Sequence, residues 1–156
     1  MSELKFINPA ELEKPPGYSH VVDVRCGRLI FLSGQGAFDV RGELVGGSDL
    51  EAQADQAFKN VSIALASVGC TAANLVKLTV FVRDMSKLAE YRRARDRFLG
   101  SVEPAAAPAI TLIEVSRLFA DGLLIEIEGI AAASPHRMDR LEAAKDEALP
   151  IERDFA

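Results

Sequence analysis

Pro108 to Ala131 reads PAITLIEVSRLFADGLLIEIEGIA, two apolar β-rich runs separated by a loop around Asp121-Gly122. Strand side chains alternate between faces, so the second run sends Leu123, Ile125 and Ile127 one way and Leu124, Glu126, Glu128 and Ile130 the other. A carboxylate buried in such apolar company without a partner costs roughly several kcal/mol. Two acids on one face therefore imply a polar cavity, a wet interface or a functional acid.

Upstream, Asn74 to Arg83 (NLVKLTVFVR) is a strand rich in β-branched residues. Alternation predicts Val76, Leu78, Val80 and Val82 on one face and Lys77, Thr79, Phe81 and Arg83 on the other. Helices flank this strand. The first opens on Ser48 and Glu51, an S-x-x-E capping box whose side chains satisfy free backbone amides. Leu50, Ala54, Ala57, Phe58, Val61, Ala64, Leu65 and Val68 then recur at helical spacing, and Gly69 stops the run. Gln53, Lys59 and Asn60 fall to its polar side. The second helix, capped by Asp84 or Ser86, runs to about Leu99 and ends at Gly100, with Leu88, Tyr91, Arg95 and Phe98 in one row. A Pro/Ala linker, 103 to 109, leads into the quoted stretch.

Residues 1 to 17 read as an irregular lead-in ending in Pro15-Pro16-Gly17. His20–Cys26 and Arg28–Ser33 are short β-rich runs read as a hairpin about Gly27. Ser33-Gly34-Gln35-Gly36 breaks the second of them, and Arg41-Gly42-Glu43 marks a further turn. The resulting order, ββαβαββ, predicts an α+β fold with one sheet and two helices on one side. The other face would carry Thr79, Glu114, Glu126 and Glu128 among apolar residues, a mixed patch best covered by self-association. After Ser134 the composition becomes charged and alanine-rich. The chain thus divides into a domain over 1–134 and an extension over 135–156, read as a short surface helix with a loose tail. A tail covering a neighbouring cleft is the alternative.

The 156 residues fit one domain, and 49% apolar with 26% charged residues is ordinary globular composition. A net charge of -5 without a basic cluster argues against a nucleic-acid partner. Cys26 and Cys70 have neither metal nor CxxC spacing and read as reduced thiols. His20 and His136 accompany no cysteine or acid cluster, so neither a metal site nor a catalytic triad is supported. No signal peptide and no apolar run of ~20 residues is visible. The expectation is a soluble cytoplasmic protein without a membrane partner.

The motifs resemble those of the Rid (YjgF-type) family over about residues 18 to 132. Gly17-Tyr18-Ser19 is similar to its Pro-Tyr-Ser segment, and Phe31-Leu32-Ser33-Gly34-Gln35 to its Ser-Gly-Gln turn. Lys77 to Asp84 (KLTVFVRD) resembles its Lys-Thr-Thr-Val-Phe-Val-x-Asp strand, and Glu126-Ile127-Glu128-Gly129-Ile130-Ala131 its final strand. The resemblance implies a chorismate-mutase-like fold, one mixed β-sheet with two helices on one face, assembled as a homotrimer with ligand clefts between subunits. It also implies hydrolysis of a small imine, enamine or related carbonyl metabolite, with no metal or organic cofactor.

Carried over position by position, Glu126 falls on the family's water-handling glutamate, Tyr18 on the cleft tyrosine, and Ser33 and Gly34 on the turn that completes the site. Leu112 falls where a cysteine is common and Arg92 where many members have asparagine. Ile110 occupies the place of the arginine that clamps the substrate carboxylate, within Pro108-Ala109-Ile110-Thr111. Isoleucine cannot form the bidentate ion pair that suits a carboxylate. Either Arg92 supplies the charge from the second helix, or the cleft takes a less anionic ligand and the activity has diverged. Other readings remain at each position. Glu126 can be a structural acid, Tyr18 interface packing, Ser33–Gly36 a strand-ending turn, and Arg92, Arg93, Arg95 and Arg97 a solvated helix face. The functional expectation is an imine or enamine deaminase with Glu126 catalytic; the alternative is a non-deaminating ligand-binding protein of the same fold. A ribonuclease, an activity attached to some family members, is disfavoured by the acidic balance.

Overall fold

A computed structural model describes residues 3–25 and 27–134; Cys26, His136 and the 135–156 extension lie outside the described residues. Its centre is a four-stranded mixed sheet in the order β3-β6-β4-β5. The strands are β3 (Arg28–Gln35), β4 (Leu75–Val82), β5 (Ala109–Glu114) and β6 (Ile125–Ala133). β6 runs antiparallel to both β3 and β4, whereas β5 runs parallel to β4. Parallel neighbours need a long crossover, and α2 (Leu88–Leu99) supplies it. α1 (Leu50–Ala66) joins β3 to β4. The expected α+β architecture, two helices on one face of a mixed sheet, is the architecture observed.

The helix-facing layer follows the sequence periodicities. Leu50, Ala54, Ala57, Phe58, Val61 and Leu65 of α1 are buried, as are Leu78, Val80 and Val82 of β4 and Leu123, Ile125 and Ile127 at and before β6. Phe58 stacks on Phe98 with ring centroids 4.6 Å apart, fixing α1 against α2. Burying one such aromatic or aliphatic side chain contributes about 1.5–3 kcal/mol.

Several local expectations are corrected. The lead-in contains a strand, β1 (Glu3–Ile7), which pairs antiparallel with β2 (Val21–Arg25) in a separate two-stranded sheet. The predicted hairpin therefore does not form: β2 takes β1 as its partner and β3 takes β6. The N-cap of α1 is Asp49, whose carboxylate accepts from the Ala52 amide, rather than Ser48. Glu51 is left to bind arginines of α2. A register shift between Leu75 and Lys77 turns Leu75, and not Val76, into the core. Glu114 pairs across from Val82, so it leaves the open face and accepts the Met85 amide at 2.6 Å.

The turn read at Arg41-Gly42-Glu43 forms and begins at Asp39, whose carboxylate accepts from the Arg41 and Glu43 amides. Asp84 caps a single 3-10 turn, Met85–Lys87, which leads directly into α2. Among the described residues no helix is long and apolar enough to cross a membrane.

Candidate functional site

Strand pairing determines which predicted site residues can meet. Phe81 lies opposite Glu126 of β6 and Ile113 of β5, and Thr79 opposite Glu128 and Thr111. Those side chains share the sheet face that the helices leave open. Leu78 and Val80, on the helix face, lie opposite Ile110 and Leu112. Glu126 and Ile110 therefore lie on opposite faces of the same sheet. The candidates separate into one group around Glu126 with Ser33 and Gly34, and another of Tyr18, Arg92, Ile110 and Leu112.

In the first group, Glu126 is seated on glycine. A Cβ built on Gly34 would come within 2.0 Å of Glu126 Oε1 and 2.8 Å of its Cδ. The carboxylate thus occupies the space that any other residue at 34 would fill. Burial, and secondarily the neighbouring charge of Glu128, push the Glu126 carboxyl above its ordinary value. Both influences oppose ionisation, since an acid loses hydration and gains a like charge two residues along the strand. Beside it lies a cavity of about 420 Å³ lined by Phe31, Ser33, Lys77, Thr79, Glu128 and Ile130. Lys77 hydrogen-bonds Thr111, and burial pushes its pKa down while the Glu128 carboxylate opposes that shift. Phe31 is 73% exposed on this face, an apolar surface beside charged groups.

Two α1 amides absent from the predicted set hold this group in place. Gln53 is fully buried, not on a polar face. Its Nε2 donates to the Gly47 and Gly122 carbonyls at 2.6 and 2.8 Å, and its Oε1 accepts from the Leu124 amide at 2.8 Å. It therefore ties the loop before α1 to the start of the strand carrying Glu126. Asn60 donates to the Gly36 and Phe38 carbonyls, both at 2.9 Å, fixing the segment after Gly34. The sequence does hold a signal for Gln53: it falls within the apolar row Leu50, Ala54, Ala57, where a polar side chain must find buried partners.

A wider groove of about 550 Å³ opens on the α1 side of that segment, with Phe38, Val40, Ile63 and Phe119 among its walls. Its acid, Asp39, is committed to the 39–43 turn. The groove offers apolar surface and, of the predicted residues, only Gly34.

The second group lines one cavity of about 220 Å³ between α2, β5 and the segment before β2, where Tyr18, Arg92, Ile110 and Leu112 meet Tyr91 and Arg95. The expectation that all four α2 arginines form a solvated face is corrected. Arg93 and Arg97 bind Glu51 at 2.6 and 2.7 Å, and Arg97 also binds Asp55 at 2.7 Å, joining the helices. Arg95 is only 6% exposed. Arg92 is exposed at the rim.

Residues 10–133 match the family model described as Endoribonuclease L-PSP. A RutC family protein of Pyrococcus horikoshii is 35% identical over 133 residues, covering 84% of this chain and 98% of that protein. A 2-iminobutanoate/2-iminopropanoate deaminase of Salmonella typhimurium is 35% identical over 112 residues, 72% of this chain and 85% of the enzyme. Among solved structures, YyfB of Yersinia pestis, described as a Rid-family protein of unknown function, superposes with a TM-score of 0.74. It is 34% identical, and the match covers 83% of this chain and 98% of that one.

Proposed function

The chain belongs to the Rid (YjgF-type) family, matched by the Endoribonuclease L-PSP model, and from that premise we propose that it hydrolyses a small imine, enamine or related carbonyl metabolite at a site shared between copies. The observation carrying this reading is the Glu126 carboxylate, held against the Gly34 backbone on an open sheet face with its pKa raised. A general acid-base group works best when its pKa approaches the operating pH, and an upward shift moves a glutamate that way. Glu126 would take a proton from water as the oxygen adds to the C=N carbon. The nitrogen is protonated, and the tetrahedral adduct collapses to a C=O group and ammonia. One water is consumed for each imine, and no step calls for a metal or organic cofactor.

Within one chain the sheet separates Glu126 from the cavity holding Tyr18, Ile110 and Leu112. A second copy supplying Glu126, Ser33 and Gly34 to that cavity would complete the site, and a closed homotrimer makes three equivalent clefts. The exposed Phe31 and its neighbours on the open face give such an assembly apolar surface to bury. The activity named for the Salmonella relative, at 35% identity, favours a 2-imino acid.

Light scattering on the purified protein and ammonia release from 2-iminobutanoate generated in solution test the proposal. Trimer mass with turnover lost in Glu126→Gln is expected. A monomer, or Glu126→Gln turning over like wild type, would overturn it. Ile110 supports a second reading, a ligand-binding member that does not deaminate, because β5 brings no guanidinium to its cavity. Melting-temperature increases with uncharged metabolites, without hydrolysis of any imine, would favour that reading.

A further inference from the structure

The cavity between α2 and β5 is built for an anion even though β5 contributes only aliphatic side chains to it. We propose that Arg92 and Arg95 of α2 bind the carboxylate of a small 2-imino or 2-oxo acid in this cavity, with the Tyr91 hydroxyl as an additional donor. The inference deepens the hydrolase reading and relies on it for the identity of the acid; the anion site itself rests on the cavity alone.

Residues three apart share a helix face, so Arg92 and Arg95 project together while Arg93 and Arg97 are consumed by Glu51 and Asp55. Arg92 makes no hydrogen bond or ion pair with any described residue. Arg95 is buried yet has a single acidic partner among the described residues: Nε and Nη2 both engage Asp96 Oδ1, at 2.8 and 2.7 Å, and the Asp96 side chain is 62% exposed. Two guanidinium charges against one solvated carboxylate leave the cavity net positive.

The guanidinium of Arg95 is also held in position. Its Cζ stands 5.9 Å from the Tyr91 ring centroid, within cation–π range. Gly17, at φ +81°, passes so near that a Cβ there would lie 2.5 Å from Nη2. A planar fork fixed before the ligand arrives loses little entropy on binding.

Tyr91 gives the independent sign of a missing partner. It is 2% exposed and lines the cavity, and its hydroxyl, near the Arg95 guanidinium, falls short of hydrogen-bonding geometry with that group or any other described residue. A buried hydroxyl left unpaired is costly, and a ligand oxygen would relieve it. Burial pushes the phenol up to about 12, with nearby Arg95 only partly opposing, so it remains a donor at neutral pH. At about 30 Å³ per water, the 220 Å³ cavity accommodates a four-carbon acid. Ile110 and Leu112 then face its alkyl end.

Calorimetric titration of the full chain with 2-oxobutanoate, the product expected from 2-iminobutanoate, tests the site without turnover. Methyl 2-oxobutanoate serves as the uncharged control. The acid is expected to bind at least tenfold more tightly than its ester. Arg92→Gln and Arg95→Lys, the latter keeping charge but losing the fork, should each weaken the acid at least tenfold and leave the ester unchanged. A loss in Arg92→Gln alone supports the site with that arginine as the clamp. Equal binding of acid and ester, no binding of the acid, or an effect confined to an Arg95→Lys protein with a lowered melting temperature overturns it. Arginine-dependent binding without ammonia release would leave this site standing and sink the hydrolase reading. Ammonia release with acid affinity indifferent to both arginines would do the reverse.

Discussion

Gly34→Ala probes the seat of the proposed water-handling acid more directly than removing the acid. Gly34 does not have a positive φ, so alanine fits the backbone conformation. The added methyl would lie 2.0 Å from Glu126 Oε1, 2.8 Å from Cδ and 3.0 Å from Cγ. Since ordinary contact begins near 3.4 Å, the carboxylate oxygen must retreat by about 1.4 Å. A side chain forced some 30° from its rotamer costs about 1 kcal/mol, a small change in folding stability. A catalytic atom misplaced by about 1 Å can cost about 10²-fold in rate. The variant should therefore melt within a few degrees of wild type while kcat/KM for imine hydrolysis falls about 10²-fold, or about 2.7 kcal/mol of barrier. Initial rates of ammonia release over a substrate series give that ratio. In a Glu126→Gln background the alanine should add almost nothing, because residues acting through one contact are not additive. Wild-type kcat/KM in Gly34→Ala, or an equal loss in both backgrounds, would refute the assignment of this contact to catalysis.

Gln53→Leu removes three buried hydrogen bonds at about 1 kcal/mol each, so urea unfolding should show a loss of about 3 kcal/mol or more, with hydrolysis reduced as the start of β6 loosens. Glu126→Gln should change the pH dependence of stability in a defined direction. A raised folded-state pKa contributes stability below the ordinary glutamate range and loses it as pH rises through the raised value. The glutamine variant should therefore gain on wild type across that interval, read from melting temperature against pH; a gain on the acid side would contradict the shift. Phe31→Asp places charge on the open face at a 73% exposed position. It should prevent the proposed trimer from forming and abolish the proposed hydrolysis while 2-oxobutanoate still binds, measured by light scattering, ammonia release and calorimetry.

The fold was largely legible because its two periodicities are strong. Leu50 to Leu65 repeats at helical spacing, Leu78 to Val82 and Leu123 to Ile127 alternate, and each buries the face that its pattern marks. What misled was chemistry resolved only by tertiary contacts. Ser48 and Asp49 are both good caps, and the chain uses Asp49 because its carboxylate reaches the Ala52 amide while Glu51 turns to α2. Glu3–Ile7 lacks turn residues that would announce a hairpin, yet finds β2 as a partner. Gln53 sits in the apolar row and is fully buried because backbone groups from two distant loops converge on it. Arg95 looked like one of four surface cations until the Gly17 segment covered it.

Which of the candidate residues meet was not legible in the sequence, and the reason is parity. β5 and β6 both pair with β4, yet Ile110 aligns with Leu78 and Glu126 with Phe81. Positions 78 and 81 are an odd number apart, so their partners project to opposite faces. A slip of one residue in the β5 pairing would bring both side chains to one face, and β5 does not mark its register in sequence, because Ile110 and Leu112 are apolar on one face and Ile113 on the other. With the register known, no rotamer change can carry the Glu126 carboxylate through a packed sheet to the cavity beside Ile110. If those residues act on one molecule, the acid must come from another copy, and the positive charge must come from the helix that shares the cavity. Arg92 and Arg95 are the guanidinium groups lining that cavity, which is why an aliphatic β5 does not by itself exclude an anion site there.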